Sequence, residues 1–150
     1  MNISVVSEAP PTRPERVGST RSKARKRALD ILFESELRGT DVLDTLAERT
    51  ADADPPVRDY TKTLVEGVSA HAAAIDERIS GSLASGWSLA RTPRVDRNTL
   101  RIAVFELDYL DLPDAVVVSE AVHLVSQLST DDSPAFVNGV LRGLIASRTP

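Results

Sequence analysis

Three features of the sequence predict an all-α fold. Apolar residues recur at three- and four-residue spacing through most of the chain. Polar or acidic residues stand directly before proline at Asp54-Pro55-Pro56, Thr92-Pro93 and Asp132-Ser133-Pro134, the pattern of a cap and a first helical turn whose N–H is unpaired anyway. No segment gives a convincing strand, and no internal repeat is present. With 150 residues, 41% hydrophobic and 27% charged, the chain suits one packed domain. Six or seven helices packed as bundles are expected.

Residues 1–18 carry three prolines and little apolar content, which predicts a disordered lead-in. The first helix follows from Ala24, Ala28, Ile31, Leu32 and Ser35, with Leu29, Phe33 and Leu37 on an adjoining stripe and Gly39 as the stop. Thr40 is the expected cap of a short helix with Leu43, Leu46 and Ala47. One long helix, bent at Gly67, is predicted from Pro55–Pro56 through Val57, Tyr60, Leu64, Val68, Ile75 and Ile79. Gly81 and Gly86 mark the loop after it. The helix opened by Thr92–Pro93 is apolar on nearly every side at Ile102–Phe105, so it belongs at the centre. Val116–Val118 looks like a strand, yet Val118, Ala121, Val122, Val125 and Leu128 continue at helical spacing, so helix is predicted. Phe136, Val137, Val140, Leu141, Leu144 and Ile145 form the last one.

Several function classes drop out. There are no cysteines, hence no disulfide, thiolate metal site or cysteine nucleophile. The longest unbroken apolar run considered, Ala115–Val118, is far below the roughly 20 residues of a membrane span, and no apolar signal core precedes Pro10; a cytoplasmic location is expected. His71 and His123 lack metal-ligand spacing, and Asp131–Asp132 reads as a helix-start pair. The Glu106 and Asp108 carboxylates face different sides of a helix, which disfavours joint acid–base work. The sequence predicts neither an enzyme nor a cofactor.

Charge is asymmetric beneath a net −4. Residues 1–27 hold seven Lys/Arg against two acids, while the rest hold eleven against twenty. The run Arg21-Ser22-Lys23-Ala24-Arg25-Lys26-Arg27 repels itself and sits at a helix N-terminus, where the dipole disfavours cations. A phosphate backbone relieves both conflicts; a solvated basic tail is the plainer alternative. Replacing Arg21, Lys23 and Arg25 by alanine is expected to cost the fold little. A second set, Arg91, Arg94, Arg97 and Arg101, is expected to pair with the surplus acids of the body rather than extend a nucleic-acid surface.

The residues also carry a resemblance. Arg21 to Arg25 with Ala28, Leu32 and Phe33, then Val95-Asp96-Arg97 through Leu107, Ser119-Glu120-Ala121-Val122, and Asp132 through Leu141 resemble the transcription antitermination factor NusB family, in that family's order. The run Phe136-Val137-Asn138-Gly139-Val140-Leu141 is the most specific part. The resemblance covers residues 20–147, within a helical RNA-binding domain placed at 19–148.

It implies a NusB-like fold of two small helical bundles that binds single-stranded boxA RNA of ribosomal RNA leaders. The implied partner is NusE, also a small-subunit ribosomal protein. The assembly acts on bacterial RNA polymerase, giving read-through and supporting ribosomal RNA maturation. Arg21, Lys23, Arg25, Lys26, Arg27 and Phe136 fall at implied RNA positions; Phe33, Leu37 and Asp96 fall at implied NusE positions. Ser22 stands where the family often has arginine, and Asp114–Ala115 replaces a more basic or aromatic pair. Phe33 and Phe136 have the core as their other destination, and Asp96 could serve only the helix dipole. A homodimer is the other use of an exposed Phe33 surface. Two alternatives complete the reading: a protein-binding adaptor without RNA function, and the NusB-like N-terminal part of an RNA cytosine-5 methyltransferase. The absence of cysteine and the stop at Pro150 weigh against the latter unless the sequence is a fragment.

Overall fold

A computed structural model describes residues 19–52 and 55–148; the lead-in over residues 1–18 and the Asp54 cap lie outside the described residues. Seven α-helices and one 3-10 turn are present among the described residues, and no strand.

Helix α1 (Thr20–Arg38) starts before its apolar stripe because the Ser19 Oγ accepts the Ser22 N–H at 3.1 Å. It stops at Gly39, whose φ of 68° belongs to the left-handed region. The N–H of Thr40 reaches back to the Ser35 carbonyl at 3.0 Å, closing the helix end. In α2 (Val42–Asp52) the cap is Asp41 rather than Thr40: its Oδ1 accepts the Leu43 N–H at 2.8 Å, while the Thr40 hydroxyl pairs with that of Thr45.

The expected long helix is two. Pro55 and Pro56 precede α3 (Asp59–Ala70) instead of forming its first turn, and α4 (Ala72–Gly81) follows a break at His71. Gly67 is therefore not the bend. A Cβ at Gly67 would collide with the Phe105 ring, so glycine there lets α3 lie close against α5. His71 leaves the helical conformation at φ −115°, ψ 23°, and its ring stacks on Tyr109 at 3.9 Å.

Helix α5 (Arg94–Tyr109) follows the 3-10 turn Leu89–Arg91 and buries ten of its residues. It packs against α1, α3, α4, α6 (Asp114–Leu128) and α7 (Ser133–Ala146). The strand-like valines lie inside α6, with Val117 and Val118 buried. Helices α1 to α3 form one small bundle and α4 to α7 the other, and α5 joins them in one continuous core from Ala28 to Leu144. Each fully buried Leu or Ile adds about 1.5–3 kcal/mol, which holds α5 as the common axis. No helix among the described residues is long and apolar enough to cross a membrane.

Candidate nucleic-acid interface

The basic run divides by helix face. Arg25 points inward and is 1% exposed. Its Nε donates to Glu106 Oε2 of α5 at 2.8 Å, and its Nη1 lies 3.5 Å from Glu120 Oε1 of α6. Glu120 also accepts from the Ser22 hydroxyl at 2.6 Å, and Glu106 from the Tyr60 hydroxyl of α3. Burial, then the charge and hydrogen bond of Glu106, push the Tyr60 phenol well above its ordinary range, so it stays a donor. Arg25 thus clasps α1 to α5 and α6. The expectation that it meets RNA is corrected by its position: two buried carboxylates need this cation. Against the expectation of a small cost, the triple alanine change would strip both carboxylates of this cation.

Arg21, Lys23 and Lys26 face outward and Arg27 is half-buried. The Arg21 guanidinium lies 4.7 Å from the Tyr60 ring centroid. Lys26 reaches Asp30 at 3.5 Å, an exposed pair that holds it weakly. Among the described residues, Arg21, Lys23 and Arg27 have no carboxylate partner, so their charge is left for an anion.

Most of the second basic set behaves as expected and is used up internally. Glu36 of α1 collects Arg97 at 2.9 Å, Arg101 at 3.3 Å and Arg94 at 3.6 Å, and Arg101 also holds Asp76 at 2.8 Å. Burial pushes the Glu36 carboxyl up, but the hydrogen bonds and charges of Arg97 and Arg101 outweigh it and hold it below the ordinary value of 4.5. Arg91 instead donates to the Gly86 carbonyl at 3.0 Å and lies over Trp87.

A cleft of about 300 Å3 opens at the start of α7 between Trp87, Arg91, Asp96, Thr130 and Phe136. Phe136 is half-buried against the core, with its ring edge-on to the exposed Trp87 at 6.4 Å. Asp96 is only 2% exposed. Its Oδ2 accepts from the Ser133 hydroxyl at 2.8 Å, and Oδ1 has no hydrogen-bond partner among the described residues. This corrects the expectation of a partner-facing charge: the first turn of α5 turns Asp96 inward to position α7. Helix α6 links the cleft to the basic turn, with Glu120 beside Arg25 and Ser129 beside Ser133. Those nine residues span roughly 14 Å along the axis.

Phe33 is half-buried outside the continuous core, and Leu37, one turn on, is 57% exposed. They lie well along α1 from Lys23, so α1 carries a basic end and an apolar end. Sequence reasoning missed Tyr60, Glu106, Glu120 and Trp87. The signal for the two glutamates was present: each interrupts an apolar stretch, Phe105-Glu106-Leu107 and Glu120-Ala121-Val122, where an acid requires a buried partner. Among the described residues, no group of three or more His, Asp or Glu is placed to hold a metal ion.

Known proteins share both sequence and shape with this chain. The transcription antitermination protein NusB of Nocardioides sp. is 55% identical over 131 residues, 87% of this chain and 96% of that protein. The protein of the same name from Acidothermus cellulolyticus is 56% identical over 129 residues, covering 85% and 88% of the two chains. Those names are of a transcription factor, not an enzyme. Among solved structures, NusB of T. maritima superposes with a TM-score of 0.78 at 30% identity, covering 88% of this chain and 94% of that one. A crystal structure of antitermination factors NusB and NusE in complex with dsRNA contains a chain with TM-score 0.75 and 30% identity, over 85% and 97%. The sequence profile of the NusB family matches residues 22–146, and with the helical order and the relatives agreeing, the chain belongs to the NusB family.

Proposed function

We propose that this chain is a transcription antitermination factor that binds single-stranded boxA RNA together with NusE, in the bacterial cytoplasm, as part of an RNA polymerase complex. One observation carries the RNA reading: Arg21, Lys23 and Lys26 are held outward on a helix that Arg25 anchors from within. The chain thereby presents cations rigidly at a helix N-terminus, where an anion is favoured. Arg21 and Lys23 neutralise phosphates, with Lys26 and Arg27 beside them, and Phe136 with Trp87 offers an aromatic stop for a base. Arg25 positions α1 and makes no direct RNA contact in this reading. Phe33 and Leu37 supply the apolar anchor for NusE, and Asp96 supports Phe136 through Ser133.

Sedimentation of the chain with NusE and boxA RNA, alone and together, tests the assignment. A ternary species sedimenting faster than either pair is expected. Phe33→Asp removes an apolar anchor and should cost several kcal/mol of NusE binding as an order-of-magnitude figure, with the melting temperature and RNA binding retained. A variant that melts normally and keeps full NusE affinity removes Phe33 from the interface. Self-association lost with the same variant assigns that surface to a homodimer.

A further inference from the structure

A second groove, of about 260 Å3, runs along the other flank of the basic ridge. Its walls are Lys23, Lys26 and Arg27 of α1 and Pro55, Pro56 and Arg58 before α3, with Asp30 as its acid. The ridge itself is shared: Lys23 and Lys26 also border the groove on the α6 side, which contains Glu120, His123 and Gln127.

Two features set the α3-side groove apart. The Nε of Arg27 is shielded from water yet makes no hydrogen bond among the described residues. A shielded N–H left so is costly without an acceptor. Arg58 is the N-cap residue of α3, gives no side-chain cap bond, and forms no ion pair among the described residues. A cation at that end of a helix opposes the dipole, as in α1. Among the described lining residues, four cations thus face a single acid, Asp30, which is already 3.5 Å from Lys26.

We propose that this groove holds the phosphodiester backbone of RNA flanking the core site, with phosphates on Arg27 and Arg58. The strand crosses the Lys23–Lys26 ridge between its two grooves, so it bends around α1 instead of ending on it. RNA is favoured over an acidic peptide because the ridge is common to both grooves and the α3-side walls offer no large apolar side chain to anchor a protein. The inference rests on the RNA binding proposed above.

The test is a fluorescence titration across a salt series with two single-stranded RNAs, a boxA core and the same core carrying unstructured flanks at both ends. The proteins are the wild type, Arg58→Gln and Arg27→Gln/Arg58→Gln. For the flanked RNA, the double variant should flatten the slope of log K against log[salt] by about 1.4, at roughly 0.7 per phosphate contact on a single strand, and lower affinity about tenfold. Arg58→Gln, a change at an exposed side chain, should give about half that slope loss. Binding of the core RNA by Arg58→Gln should stay unchanged, which also shows that this variant is folded, and the double variant should lose no more than the single Arg27 contact there, about 0.7 of slope. Equal behaviour of wild type and double variant on the flanked RNA overturns the proposal, as does an equal loss on both RNAs. Loss of NusE binding with flanked-RNA binding intact makes the groove a protein surface and overturns it too. A wild type that binds neither RNA ends this proposal together with the function it rests on.

Discussion

Arg25 and Lys23 stand two positions apart on α1, and that offset turns one into the core and the other into solution. Arg25→Ala leaves Glu106 and Glu120 buried around a missing cation, and urea unfolding should show a loss of about 3–5 kcal/mol. Lys23→Ala should move stability by less than about 0.5 kcal/mol while weakening RNA binding. The charge run was legible in the sequence because like charges at that density are locally unfavourable. Which of its members is structural was not legible, since the deciding carboxylates come from α5 and α6, far along the chain. Asp96 teaches the same lesson: its place in a first turn was readable, but its burial depends on Ser133 of α7.

At the level of helices, the order and the central place of α5 followed from periodicity alone, and the helical reading of Val116–Val118 holds in α6. The break between α3 and α4 did not follow. The apolar stripe continues across His71, and glycine at position 67 is explained by a tertiary approach that local sequence does not show. Gly67→Ala should therefore destabilise by about 1–3 kcal/mol through displacement of Phe105, although alanine is the better helix former. Adding Phe105→Leu should recover part of that loss in the same melts, whereas a stabilised single variant would contradict the packing.

The tie between α1 and α5 through Glu36 has a pH signature. The Glu36 carboxyl is held below its ordinary 4.5 in the folded state, so its contribution is complete above that pH and is lost as pH falls through the lower folded value. Glu36→Gln should flatten the acid limb of stability against pH below about 4.5, measured by chemical denaturation at each pH. An acid limb identical to wild type would show that Glu36 gains nothing from its arginines.

For the whole molecule, a net charge of −4 on 150 residues coexists with a site for a polyanion because the charges are segregated by pairing. The arginines of α4 and α5 are neutralised by Glu36, Asp76 and Asp108, and the cations at the start of α1 are left over. The central claim is that this leftover charge, and not Arg25, meets RNA. The most direct measurement is the salt dependence of binding to single-stranded boxA RNA by wild type and Arg21→Ala/Lys23→Ala, with melts of both. About four contacts predict a wild-type slope of log K against log[salt] near −3, and the double variant should flatten it to about −1.6 with an unchanged melting temperature. A slope that stays near −3 in a normally folded double variant would contradict the account and place the RNA elsewhere on the molecule.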